Sequence, residues 1–380
     1  MRRRLLELIS ATTVLAVAAM FLPPTVVPLG GQAPRATPWG HPNLEGIWLD
    51  VYDTPFERPS EVADREFATA EERAARDQAR MGSVGRNRRV TRGSQQDVAG
   101  AYNAVFTSAK PAGPRTSLVV DPTNGRIPAL TKEAAQQNEI QQQWRLMLLR
   151  NTETCQFSAR ACSGGEYGPP SPKRFDVAPF YNTSRMNRHD GPEDQSLGDR
   201  CMLGVTPEFR GFRRIVQGAD SVAIGYDTGQ GQGFQRVVNL IGRHPPDQIR
   251  LRHGDSRGHW EGQTLVIETT NFSPKFPFRG SGAHRKLTER YTRVDAETLE
   301  YEVITEDPTV WTGPWTVRQE MKRQSDDENR IYYEPRCHEG NYGLPALLVG
   351  ARVEEEAFAA GRGPDPFSLD TATDFGGGVQ

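Results

Sequence analysis

From residue 213 onward, short β-prone runs follow one another with polar turns between them: 222–226, 236–241, 248–252, 286–294, 298–305, 315–321 and 330–333. Within 298–305, Leu299, Tyr301 and Val303 alternate with Thr298, Glu300 and Glu302. Period two with one wet face is the mark of a strand on a half-buried sheet. Short strands at this spacing predict a mainly β fold, an antiparallel meander closed into a barrel or bent into a strongly curved sheet.

The chain before residue 213 reads differently. Thr69 and Glu72 form a capping-box pattern that opens a charged helix to about Arg80, and the stretch 81–100 lacks periodicity and reads as a loop. Residues 117–127 give a short strand, an Asn124-Gly125 turn and a second extended piece. Thr131 caps a helix to about Arg150, whose Ile140, Trp144, Met147 and Leu148 share one face in ordinary core packing. The expected organisation is a leader over 1–33, an extended and helical N-terminal region over 34–150 packed on the sheet, a loop-rich connector with cysteines over 151–212, the β-meander over 213–353, and a disordered acidic, Gly/Pro/Asp-rich tail over 354–380.

The densest segment is 253–272, which holds His253, Gly254, Asp255, Ser256, Arg257, His259, Trp260 and Glu261 ahead of a β-branched run. Glycine-punctuated turns around β-prone runs predict hairpins, with the charged residues crowded at the turns. The stretch 261–268 is echoed at 295–302, each with an acidic residue entering a turn before Thr-Leu and a strand, which reads as repeated hairpins in one sheet.

Composition narrows the compartment and the partners. Met1-Arg2-Arg3-Arg4 and an apolar run from Leu8 to Leu22 form a secretory signal, and no other segment is apolar enough to span a bilayer. The expected location is therefore periplasmic or extracellular, with no stable membrane insertion once the signal is removed. The formal net charge is −2, and without the leader it is about −4. The only basic cluster, around Arg86, Arg88, Arg89 and Arg92, reads as a solvated loop, which argues against a nucleic-acid partner. Four cysteines in an exported chain point to disulfides. Three pairings are open; joining Cys155 to Cys162 closes a short loop and leaves Cys201 for Cys337. No C-x-x-C pair supports zinc, and neither a metal nor a cofactor is expected.

Three motifs carry a resemblance: 254–262 (Gly-Asp-Ser-Arg-Gly-His-Trp-Glu-Gly), continuing into the Thr-Leu-Val-Ile-Glu-Thr-Thr-Asn-Phe run to Phe272, then 289–295, and 337–343 (Cys-His-Glu-Gly-Asn-Tyr-Gly). With 117–130, 193–201 and 309–315, they make the chain resemble an uncharacterised family of exported bacterial proteins over most of its mature length. That likeness implies export and no particular reaction. The chain departs from the family pattern at 227–233, a glycine-rich stretch read as a flexible loop, where relatives carry His-Asp-x-Arg. Gly46-Ile47-Trp48 also resembles the opening strand of lipocalin-like barrels, in which the tryptophan plugs one end.

Candidate chemistry gathers in three sets. Asp255, His259 and Glu261, with His253 and Arg257, combine imidazoles and carboxylates suited to acid–base work. The plainer alternative is a hydrogen-bonded turn at Asp255-Ser256-Arg257. His338 and Glu339, with Tyr342, follow Cys337, while Glu193, Asp194, Asp199 and Arg200 precede Cys201; a Cys201–Cys337 bridge would bring these two groups together. Trp260, Trp311 and Trp315 offer aromatic faces for a ligand or for core packing. The expectation is an exported barrel holding a small organic molecule at its mouth, either turning it over as an acid–base hydrolase, lyase or isomerase, or binding without turnover. A structural envelope role is the third alternative.

Overall fold

The computed structural model describes residues 36–82, 110–157, 162, 165–209, 211–229, 232–324, 337–338 and 341–372. The leader over 1–33, the stretch 330–333 and all but the first two residues of the 81–100 loop lie outside the described residues.

Among the described residues, ten strands form one sheet. They are β1 (Gly46–Asp50), β2 (Val119–Asp121), β3 (Phe212–Gln217), β4 (Ser221–Gly229), β5 (Gln232–Asn239), β6 (Asp255–Glu261), β7 (Thr264–Thr270), β8 (Lys286–Arg293), β9 (Thr298–Glu306) and β10 (Trp315–Arg323). The order β1-β3-β4-β5-β6-β7-β8-β9-β10 closes on itself through a β1–β10 pairing, so these nine make a barrel and β2 adds to β10 outside the ring. The expected mainly β, antiparallel, barrel-forming meander is what the chain builds.

Antiparallel pairing holds everywhere except between β5 and β6, which run parallel with Val238 opposite Ser256 and Asn239 opposite Arg257. The crossover this requires occupies 240–254, so the β-prone 248–252 is not a strand. Asn271 explains why: its side-chain amide donates to the carbonyls of Pro245, Pro246 and Ile249, and only an isolated bridge joins Leu251 to Phe272. The described residues of the glycine-rich 227–233 are not a loose loop either, since 227–229 extend β4 and 232–233 open β5, with Gly229 opposite Gln232. Nor do Asp255, Ser256 and Arg257 form a turn; they open strand β6. The echoed segments do form hairpins, β6–β7 and β8–β9.

β1 comes from the N-terminal region and is part of the barrel wall, between β3 and β10. Trp48 is fully buried, donates its indole N–H to the Leu44 carbonyl at 2.8 Å, and lies beneath the Arg293 guanidinium at 5.4 Å. It closes the lower end of the barrel, with Gln217 binding the Leu44 amide and the Pro42 carbonyl around it. Gly258 on β6 faces inward at a close contact, where a methyl group would stand 2.8 Å from Val238 Cγ1, so any larger residue would push β5 and β6 apart.

Helices flank the barrel: α1 (Ala70–Gly82), α2 (Lys132–Leu149), α3 (Glu153–Phe157) and α4 (Gly343–Ala359). The Thr69–Glu72 capping box forms in both directions, and Thr131 caps α2 through the Ala134 amide. Of the face read on α2, Leu148 is buried and the earlier positions are half-buried. The second extended piece after the Asn124-Gly125 turn forms no strand; the Ile127 amide is taken by Glu57 instead. The tail differs from expectation over its first part. α4 continues to Ala359, and Phe367 is held beneath Arg174 at 3.5 Å and edge-on to Phe175, so an anchoring aromatic overrides the polar composition. No helix among the described residues is long and apolar enough to cross a membrane.

Both disulfides pair as the local and long-range alternative has them, Cys155 with Cys162 and Cys201 with Cys337. Two disulfides fit folding in an oxidising compartment, extracellular or periplasmic.

Candidate ligand site inside the barrel

Alternation along each strand decides which side chains enter the barrel. On β6, Ser256, Gly258 and Trp260 point inward, whereas Asp255, Arg257, His259 and Glu261 share the outer face. The outer set forms surface ion pairs. Asp255 accepts from Arg257 (2.7 and 3.0 Å) and from His244 Nδ1 (2.7 Å), and His244 Nε2 lies 3.4 Å from Glu268. Farther along, His259 and Arg290 both bind Glu261, at 3.2 and 2.6 Å. Trp260 stacks on His41 at 5.4 Å, near the Trp48 end of the barrel.

The Cys201 bridge adjoins the opposite end of β6, where Arg252 donates to the Met202 carbonyl. His259 is four residues beyond Asp255 on β6, so roughly 13 Å of strand separates it from the end that the bridge adjoins. The bridge does bring the 193–201 loop and the Cys337 segment together, since Asn341 donates to the Asp199 carbonyl at 2.9 Å. Three of the four candidate charges of that loop are already partnered: Asp199 with Arg185, Asp194 with Arg188, and Arg200 with Tyr181 and the Asn182 carbonyl. His338 and Tyr342 are exposed, and Glu339 lies outside the described residues. Trp311 is buried edge-on against Trp315 in the core. Among the described residues, no cluster of His, Cys, Asp and Glu could hold a metal.

A different constellation occupies the barrel interior. Arg213 (β3), Tyr226 (β4), Arg236 (β5), Ser256 (β6), Thr269 (β7), Glu289 (β8), Tyr301 (β9) and Gln319 (β10) are all buried and form a polar belt. At its centre Arg236 and Glu289 make a bidentate pair, with both Nη–Oε distances 2.6 Å. Tyr301 donates its hydroxyl to Glu289 at 2.9 Å, Arg236 Nε donates to Tyr226 at 3.1 Å, and Ser256 and Thr269 bond each other and Arg236. Arg213 packs against the ring of Tyr301, with its guanidinium carbon 4.0 Å from the ring centre. Burial holds the Tyr226 and Tyr301 hydroxyls well above the usual phenol range, so both stay neutral.

The belt meets the upper end of the barrel under a strap formed by 202–209. The Glu208 carbonyl accepts from Arg213, the Phe209 carbonyl accepts from Gln319 at 2.8 Å, and Phe209 packs among Phe56, Phe278 and Tyr301. His253 completes this end, stacked on Phe234 at 3.9 Å and 3.3 Å from the Thr206 hydroxyl. Burial, helped by Arg252, Arg236 and Arg285, pushes the His253 imidazole down to about 3.

A histidine kept neutral in the fold has a folded pKa below its unfolded value. The unfolded chain therefore takes up a proton first as pH falls, and stability from this group is complete above about pH 6.5. It declines between about pH 6.5 and 3, by at most about 1.4 kcal/mol per pH unit. His253→Phe keeps the stack on Phe234 and is expected to flatten that part of a urea-midpoint-versus-pH curve; an unchanged slope would assign the acid sensitivity elsewhere.

The sequence carries a signal for the belt. Arg213 sits in phase with Ile215, Arg236 with Phe234 and Val238, and Glu289 with Leu287 and Tyr291. A charged residue on the apolar phase of a strand is a buried charge. The partner of each depends on barrel closure, which the sequence does not display.

Comparison with protein-family profiles gives no match, and comparison with curated proteins gives none. Among solved structures, the chain is similar to a variant of the fluorescent protein UnaG, at 16% identity and a TM-score of 0.19, over 30% of this chain and 72% of that one. A likeness this loose says nothing of ligand or activity.

Proposed function

We propose that the protein is an exported ligand-binding barrel that encloses a small organic molecule against the polar belt. The observation behind this reading is the belt itself. Eight strands each deliver a buried polar group to one layer of an otherwise apolar barrel. Buried ion pairs and hydroxyls are poor stabilisers compared with well-packed aliphatic side chains. A ring of them around the inside of a closed barrel is better suited to orienting a guest, as the few placed polar groups of apolar ligand sites do.

Acid–base turnover has less support. Glu289 is held by Arg236 and Tyr301, Asp255 faces outward into an ion pair, and His253 is too weak a base once buried. The test is titration with N-phenyl-1-naphthylamine, a neutral probe whose fluorescence rises in apolar surroundings. Saturable binding at one site per chain, lost on unfolding, is expected. Fluorescence that rises linearly without saturation would remove the container reading.

A further inference from the structure

We infer that the molecule held in the barrel is an anion, and that Arg213 receives its negatively charged group. This inference rests on the ligand-binding reading above and adds the class of ligand.

The argument begins with charge. The belt contains two guanidinium groups, Arg213 and Arg236, and one carboxylate, Glu289. Glu289 is spent: one oxygen takes Arg236 Nη2 and the Tyr301 hydroxyl, and the other takes Arg236 Nη1 and, at 3.5 Å, the Thr269 hydroxyl. Among the described residues no carboxylate pairs directly with Arg213, which is 1% exposed, and Glu289 acts on it only from longer range. The tyrosines around it supply no counter-charge, because Tyr226 and Tyr301 stay neutral and offer only ring faces.

Hydrogen bonding points the same way. Arg213 Nη2 is satisfied by the Glu208 carbonyl and, at 3.4 Å, by Gln319 Oε1, but Nε and Nη1 have no acceptor among the described residues. Among the described residues no other buried guanidinium leaves two nitrogens unmet. A buried cation with open donors is costly to fold and is normally completed by an anion. A guest bearing one carboxylate, sulfonate or similar monoanionic oxygen group would neutralise the belt's single excess charge and accept from a vacant Arg213 donor. A charge-assisted contact to arginine in this dry setting would be the strongest polar contact the guest could make.

The experiment compares two probes that share one ring system: 1-anilinonaphthalene-8-sulfonate, a monoanion, and N-phenyl-1-naphthylamine, which lacks the sulfonate. The wild-type barrel is expected to favour the anion by roughly 10- to 100-fold, the range for a hydrogen-bonded charge contact. Arg213→Met should bring that ratio close to one while keeping the affinity for the neutral probe, and Arg213→Lys should recover part of it. Arg290→Met, on the outer wall, should leave the ratio unchanged. Equal binding of both probes by wild type, or a preference that survives Arg213→Met, overturns the anion assignment and leaves the container reading standing. Failure of both probes to saturate overturns the container reading and this inference with it.

Discussion

Glu289→Gln is expected to destabilise the barrel by about 3–5 kcal/mol, the cost of leaving one partner of a buried ion pair uncompensated. Glu289 is fully buried and Arg236 is 6% exposed, so water cannot replace the missing charge. Glutamine keeps the shape and one acceptor for Tyr301, but leaves Arg236 as a cation facing only hydroxyls. Replacing both residues by aliphatic ones, Arg236→Met with Glu289→Leu, should recover most of the loss, because desolvation of both ions disappears together. Urea midpoints at constant slope measure this. A double variant as unstable as the single one would mean that the pair draws its stability from the hydroxyls around it rather than from its own charges.

The second large effect concerns the two cystine bridges, which should contribute unequally. Cys201–Cys337 spans 136 residues and Cys155–Cys162 spans 7. On the chain-entropy account, closing those loops stabilises the fold by about 5 and about 2.5 kcal/mol respectively. Alanine at both ends of the long bridge is therefore expected to cost about twice as much as alanine at both ends of the short one. The long bridge also anchors the strap that begins at Met202 and ends over Arg213 and Gln319. Thermal unfolding of the two double variants, each with the other bridge intact, decides the order. A larger loss from the short bridge would show that native packing around Leu149 outweighs chain entropy.

How far the sequence spoke for itself differs from element to element. β8 and β9 were plain, because Leu287, Tyr291, Leu299, Tyr301 and Val303 keep strict alternation and all end up buried. β1 was visible only through Gly46-Ile47-Trp48, yet it closes the ring. The crossover at 240–254 looks like a strand in sequence because nothing local shows that the Asn271 amide takes its carbonyls. The 253–272 segment shows its hairpin plainly, but its Asp255, Ser256 and Arg257 imitate a turn and are strand residues. A shift of one residue in phase moves Asp255, His259 and Glu261 from the inside of a strand to the outside, and nothing local to that motif fixes the phase. The belt needed still more, because its members are spread from residue 213 to residue 319 and meet only once the register of every strand is set.

The parallel pairing of β5 with β6 follows from arithmetic. In a closed circle where each neighbour runs opposite to the last, directions can agree on return only if the count is even. This circle has nine members, so one like-directed pair is compulsory, and the return path over 240–254 is the length of chain that parity demands. Gaining or losing a whole hairpin would keep that requirement, whereas gaining or losing a single strand would abolish it. His244 and the carbonyls that Asn271 gathers therefore owe their place on the outer wall to the oddness of the ring.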